Sequence, residues 1–335
     1  MKKCNVVFCI IFSVVLILNA FCLMGSAAEK TYLLITTATT GGTFYPVGVG
    51  LSTLWTGKLK AEGVQVSAQS SAGSGENIQM MQNNEADLAI LQGLFGAMAW
   101  QGVGAYDKRI EILRSITMLW PNVMHAVLVD DKVETGNIID VKGKRISIGR
   151  AGSGTEMENI VIMEGLGLTL DDLVPEYLGT SESSNAMKDG KIDGILCSPG
   201  YPASSYSDLA ASPTKFSFLE VTDEQIDNVN KVYPIFYRDY IPANTYIGQE
   251  EIVNTIAQPN WLAIKNDIDE DVVYALTKAI FENLDYLVSV HDSCKNIQLD
   301  SALAGLSVPL HPGALKYYQE VGLDIPDNLI PPEAK

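Results

Sequence analysis

A two-lobed α/β fold, each lobe a βαβαβ unit with its sheet flanked by helices, is what this 335-residue sequence predicts. Two observations lead there. The tetrapeptide Ala-Gly-Ser-Gly occurs twice, at residues 72–75 and 151–154, each time between a β-like alternation and a helix-like stretch. Met81 and Asp87 lead into Leu88-Ala-Ile-Leu91, and Met187 and Asp193, at the same spacing, lead into Gly194-Ile-Leu196. The length is ample for two cores.

The chain opens like an export signal. Met1-Lys2-Lys3 is a charged start, Val6 to Leu18 is almost wholly apolar, and Ser26-Ala27-Ala28 precedes the first acid, Glu29. We expect cleavage after Ala28 and a periplasmic protein. A retained anchor is disfavoured by the small-residue site, and a lipid anchor through Cys22 by the bulky Phe21 before it. No later segment has the apolar length of a membrane span. The chain carries 40 acids against 23 Lys and Arg, a formal charge of −17, and removal of Lys2 and Lys3 makes it more acidic. Such a body repels nucleic acid. Outside the leader only Cys197 and Cys294 remain. They read as buried thiols, with a bridge between them as the alternative.

In the first lobe, strand Tyr32–Thr37 leads through a loop at Thr39–Thr43 into a helix. Pro46 suits its first turn, and Val47, Leu51, Leu54 and Trp55 share a face. Strand Val64–Ala68, the first glycine loop, a short helix with Ile78 and Met81, and strand Leu88–Leu91 ending at Gln92 complete the unit. The second lobe reads as strand Arg145–Gly149, then a helix opened by the capping-box pattern Ser153-Gly-Thr-Glu156. Leu178-Gly-Thr-Ser-Glu-Ser183 opens another helix before strand Ile192–Cys197. Ala126–Val129 is expected to cross between lobes and Trp261–Ile264 to cross back. A single amphipathic helix should run from Asp271 to Ser289, with Val272, Leu276, Ile280, Leu284 and Leu287 inward. The predicted division is lobe I at 29–122 and 258–335 and lobe II at 123–257.

Catalytic patterns fail residue by residue. A nucleophile elbow needs glycine two residues before the serine, and Ser74 and Ser153 have Ala72 and Ala151 there. His125, His291 and His311 lie far from them in sequence, the last two in positions that suit capping. Neither glycine loop ends in the Gly-Lys-Ser/Thr of a phosphate loop, GxGxxG does not follow the first strand, and no HExxH or CxxC spacing occurs. We therefore expect no enzyme, metal or cofactor. A strand, a glycine turn and a helix start instead gather free N–H groups at the positive end of a helix dipole, which favours an anion. Thr43, Ser74, Ser153 and Thr155 offer hydroxyls there, Asn77 and Gln92 amides, Tyr45 and Tyr201 walls, and Arg150 a cation. The bland reading of Arg150 is a pair with a nearby acid such as Glu156 or Glu158.

Thr40-Gly-Gly-Thr-Phe-Tyr-Pro46, Ser71-Ala-Gly-Ser-Gly-Glu-Asn77, Gly149-Arg-Ala-Gly-Ser-Gly-Thr155, Gly200-Tyr-Pro202 and Pro309-Leu-His-Pro-Gly313 together resemble the TAXI family of TRAP-transporter solute receptors. The likeness runs in order along the mature chain. It implies a type II periplasmic-binding-protein fold that captures a small carboxylate such as glutamate, 2-oxoglutarate or a related dicarboxylate. It also implies delivery to integral membrane TRAP permease subunits, with the receptor acting as a monomer. By the same resemblance Gly42, Thr43, Tyr45, Ser74, Asn77, Ser153, Thr155, Gly200 and Tyr201 are ligand contacts. Arg150 stands where the family varies and would tune ligand choice, while Cys197 replaces a bulky apolar residue and affects packing. The rival readings are a sensor component on the same fold and an enzyme on it.

Overall fold

A computed structural model describes residues 30–334. The expected signal peptide and the lipid-anchor alternative lie outside the described residues. The first lobe starts with β1 (Thr31–Thr36), α1 (Phe44–Lys58), β2 (Val64–Gln69), α2 (Ser74–Gln82), β3 (Leu88–Gln92) and α3 (Gly93–Gln101). The apolar face expected of α1 is buried, and its Trp55 indole N–H donates to the Leu276 carbonyl at 3.0 Å. β4 (Leu113–Val123) and β5 (His125–Val129) then carry the chain into the second lobe. There β6 (Arg145–Ser147), α4 (Gly154–Gly165), β7 (Val174–Glu176), α5 (Thr180–Lys188) and β8 (Gly194–Cys197) repeat the unit. α6 (Ser204–Ala210), β9 (Phe216–Phe218) and α7 (Asp223–Val232) close that lobe. β10 (Tyr237–Ile241) and β11 (Val253–Lys265) return, and α8 (Glu270–Phe281), α9 (Leu284–Val290) and α10 (Pro312–Glu320) cover the first lobe.

Both sheets share a plan. In the first, β2, β1 and β3 are parallel in that spatial order and β11 is antiparallel to β3. In the second, β7, β6 and β8 are parallel in the same arrangement and β5 is antiparallel to β8, with β9 beyond it. The two βαβαβ units are therefore present. Asp87 and Asp193 hold equivalent places: each carboxylate accepts at 2.9 Å a backbone N–H of its unit's first strand, from Leu34 and Arg145. Ile35, Leu88, Ile90 and Trp261 sit in the first core, and Ile146, Ile162 and Leu196 in the second.

Two expectations need correction. β5 belongs wholly to the second sheet, and the crossing is made by β4 paired along its length with β11. β4 escapes sequence reading because both its faces are buried and it contains Pro121, so neither alternation nor an unbroken apolar run marks it. The helix expected over Asp271–Ser289 is broken after Phe281. Glu282 ends α8, and the Asn283 side chain donates back to the Ala279 carbonyl at 2.8 Å. Val272 and Leu284 are only half buried, whereas Leu276, Ile280 and Leu287 are in the core. Cys197 and Cys294 are both free thiols.

His125 sits at the start of β5 inside an aromatic cage of Tyr206, Phe218 and Tyr246. Its ring nitrogens lie 2.9 Å from the Val123 carbonyl and the Tyr246 hydroxyl, so a neutral ring donates to one and accepts from the other. Complete burial lowers its pKa from 6.5 to about 4. A folded-state pKa below the unfolded one gives stability that is present above about 6.5 and is lost as the pH falls toward 4. The chain should therefore melt at lower temperature across that window. His125→Gln should melt lower at neutral pH but with a shallower acid slope, measured by calorimetry as a function of pH. An unchanged slope would contradict a buried neutral imidazole.

Candidate functional site

One cavity lies where six parallel strands end. Thr39, Gly42 and Thr43 follow β1, Ala72–Ser74 follow β2, and Gln92 ends β3. From the other lobe, Gly149, Arg150 and Ser153–Thr155 follow β6, Leu178–Thr180 follow β7, and Cys197–Pro199 end β8. This crevice at the carboxyl ends of strands is where α/β sheets receive ligands. α1, α2, α4 and α5 all begin in its wall, so four helix N-termini bring N–H groups without intrahelical partners to one place. The space is about 60 Å³.

Arg150 is the one formally charged residue in that wall among the described residues. Its guanidinium is held by Glu182 at 2.7 Å, and both side chains are about half exposed. The partner is thus neither Glu156 nor Glu158. Glu156 instead accepts the Gly152 N–H at 2.5 Å while the Ser153 hydroxyl accepts the Glu156 N–H, a capping arrangement displaced by one residue from the expected box. The Gly179 N–H, with Arg150 second, holds the Glu182 carboxyl below its ordinary range.

The two glycine loops are not equivalent. The first follows the second strand of its unit and the second follows the first strand of its own. Their helix registers also differ, since Ser74 is the first residue of α2 whereas Ser153 caps α4 from outside. They nevertheless face each other across the cleft. A Cβ on Gly75 would collide with the Gly152 carbonyl oxygen, and one on Gly73 would touch Ser153 at 3.6 Å. Only glycine at position 75 allows this approach.

The lobes are closed on each other by short polar contacts. Thr43 Oγ1 donates to the Gly200 carbonyl, Ser181 Oγ to the Thr40 carbonyl and Ser205 Oγ to the Gly41 carbonyl, each at 3.0 Å. Gly41 has φ +89°, and a Cβ there would strike Ser181 Oγ. Both the conformation and the space require glycine.

Of the expected contacts, Gly42, Thr43, Ser74, Gln92, Arg150, Ser153 and Thr155 line the cavity. Asn77, Tyr45, Gly200 and Tyr201 do not. Asn77 is fully buried, and its amide spans the Thr37 and Ile90 carbonyls at 2.6 and 3.0 Å, tying the ends of two strands together. Asn159 does the same for Ile148 and Leu196 in the other lobe. Gly200 and Tyr201 offer their carbonyls to Thr43 and Ser293 in the closure contacts. Asn122, Ser147, Thr180, Ser183 and Cys197 line the cavity without having been expected there. For Thr180, Ser183 and Cys197 a signal existed, because each stands at a strand end or helix start. Asn122 had none, since β4 itself was unread. The Gln92 Oε1 atom is buried in this wall without a hydrogen-bond partner, an acceptor left for a solute.

The fold is similar to that of a protein from Bordetella bronchiseptica RB50, at 16% identity and a TM-score of 0.50, covering 90% of this chain and 92% of that one. Lower scores relate it to the alkanesulfonate-binding protein SsuA from Xanthomonas axonopodis pv. citri bound to MOPS (14% identity, TM-score 0.47, 88% of this chain and 92% of that one). A putative L-cystine ABC transporter from Listeria monocytogenes is similar at 12% identity and a TM-score of 0.48, covering 78% of this chain and 94% of that one. At 16% identity the likeness to the Bordetella protein speaks for the fold alone, a two-lobed α/β architecture. The sequence itself matches the NMT1-like family over residues 35–322, nearly everything the structure describes, and the chain belongs to that family.

Proposed function

We propose that this protein is an extracytoplasmic solute-binding receptor that captures a small carboxylate between its lobes and delivers it to a membrane permease. The observation that carries this reading is the cavity wall: four helix N-termini, one arginine and no acid among its described residues. Such a wall favours negative charge even on an acidic protein, because surface charges are screened beyond roughly 8 Å. Glutamate, 2-oxoglutarate and related dicarboxylates fit that chemistry, and the motifs shared with TAXI receptors support a TRAP-type permease and a periplasmic location. The proposed lobe limits, 29–122 with 258–335 and 123–257, meet where Asn122 pairs with Gln258 and Val123 with Ala257 on the crossing strands. These pairs serve as the hinge.

The wall also speaks for binding rather than catalysis. Ser74 Oγ accepts the Gln92 N–H, Ser153 Oγ accepts the Glu156 N–H, and Ser147 shares a hydrogen bond with Ser183. The three histidines are engaged elsewhere: His125 with Tyr246, His291 with the Ser293 N–H and His311 with the Gly313 N–H. Among the described residues no serine of the wall is hydrogen-bonded to a histidine.

Titration calorimetry with glutamate, 2-oxoglutarate and a short alkanesulfonate tests the ligand class. We expect the dicarboxylates to bind one per chain, and preference for the sulfonate would overturn the carboxylate assignment. Arg150→Ala should weaken carboxylate binding by about tenfold or more, the cost of a charge-assisted hydrogen bond of roughly 1.5–3 kcal/mol. Arg150→Lys should recover part of it, lacking the bidentate fork. Binding by Arg150→Ala within about twofold of the natural protein would leave Arg150 as a partner of Glu182 only.

Closure is tested separately by Gly75→Ala, which lies inside α2 and outside the cavity wall. Alanine suits a helix, so the variant should fold, but its Cβ opposes the Gly152 carbonyl and shifts the population toward the open form. Apparent affinity falls in proportion to the closed fraction. We expect a loss of about tenfold or more, with small-angle scattering showing less compaction on adding solute. Natural affinity and compaction would contradict closure through the glycine loops.

A further inference from the structure

Glu158 lies in the second turn of α4, the helix whose first turn walls the cavity, and it is 1% exposed. It has no Lys or Arg partner among the described residues; what surrounds it is a shell of neutral donors. Gln258 Nε2 donates to Oε1 at 2.8 Å, and Asn122 Nδ2 reaches the two oxygens at 3.2 and 3.4 Å. The donors are aimed from behind. The Leu94 N–H donates to Gln258 Oε1 at 2.7 Å, and Asn260 Nδ2 to Asn122 Oδ1 at 3.1 Å, leaving each amide nitrogen turned to the carboxyl.

The placement of this network matters. Asn122 and Gln258 are register partners on β4 and β11, where the strands pass between lobes. Asn122 and Ser198, whose hydroxyl also favours the charged carboxyl, line the cavity. Glu158 therefore fastens the second lobe to the crossing strands directly beneath the cavity. Burial pushes its carboxyl up to about 7 against the pull of Gln258, Ser198 and Asn122. The titratable group facing it is the Cys197 thiol of β8, pushed up to about 11 and hence neutral. β4, β11 and the turn after β8 contribute only Asn122, Gln258 and Ser198 to it.

We propose that Glu158 couples closure of the cleft to protonation: the closed form holds a proton on Glu158 that the open form releases. A charged carboxylate sealed away from water without a cation is costly. Opening admits water to the cavity floor at Asn122 and Ser198 and returns the group to ordinary carboxylate behaviour. An anion in the cavity adds a like charge and holds the proton more firmly. The second effect rests on the carboxylate reading of the site, and the first does not.

The sign follows from the raised value in the closed form. Closure is favoured at low pH and is lost as the pH rises through about 7. Spin labels at Val49→Cys on α1 and Val174→Cys on β7 report the lobe distance without any solute. The closed fraction should fall between pH 5.5 and 7.5, and should not change with pH in Glu158→Gln. Calorimetry with 2-oxoglutarate in two buffers of different ionisation enthalpy should show proton uptake on binding. Affinity should drop by about tenfold or more over the same interval, and the drop should vanish in Glu158→Gln.

Lobe distances and affinities independent of pH, or a Glu158→Gln profile like the natural one, would overturn the proposal. If 2-oxoglutarate fails to bind, the carboxylate reading falls while the label distances still decide the role of Glu158. Should Glu158→Gln not fold, Ser198→Ala removes one donor and should move the closure midpoint to higher pH. An unmoved midpoint would count against Glu158 as the titrating group.

Discussion

The convergence of four helix N-termini on one small cavity is the constraint from which the rest of this structure follows. N–H groups at a helix start have no partner inside the helix, and burying them together is costly unless something accepts from them. Here part of that demand is met by the protein. Glu76 accepts the Ala72 N–H and Glu156 the Gly152 N–H, both from the rim, while Glu182 takes the Gly179 N–H and Arg150 together. The acids thus stand outside the wall and leave its inner surface positive. An anion entering that space meets donors already oriented, so little has to be rearranged to receive it.

The sequence revealed the architecture more readily than the site. Most strands of the two βαβαβ units followed from short apolar segments with turn residues after them, but Val174–Glu176, three residues long with both ends exposed, gave no such signal. The twin Ala-Gly-Ser-Gly loops were legible as helix starts and as neighbours of a cleft. Their identical tetrapeptides do not occupy equivalent positions, since they follow different strands and cap their helices in different registers. Helix starts are locally encoded. Position within a sheet is not.

The same distinction explains the side chains. Ser74, Ser153, Thr43 and Gln92 sit at element ends, and the ends of parallel strands face the cleft. Asn77 is in the right helix, but one turn inward it serves the Thr37 and Ile90 carbonyls, sharing the first with the Ser71 hydroxyl. Tyr201 was read as a wall by its neighbourhood to glycine and proline, yet its carbonyl is what the neighbouring Ser293 uses. Glu158 was weighed only as a partner for Arg150. Its burial depends on Asn122 and Gln258, which meet it through the crossing strands, and no local pattern announces that meeting.

What the cleft holds decides between an anion site and any other. Native mass spectrometry of the freshly purified protein, followed by mild denaturation and identification of the released small molecule, addresses this most directly. We expect one small carboxylate per chain, its presence accompanied by a higher melting temperature than that of the stripped protein. Release of a cationic or wholly apolar molecule from the cavity would contradict an anion site built from helix N-termini.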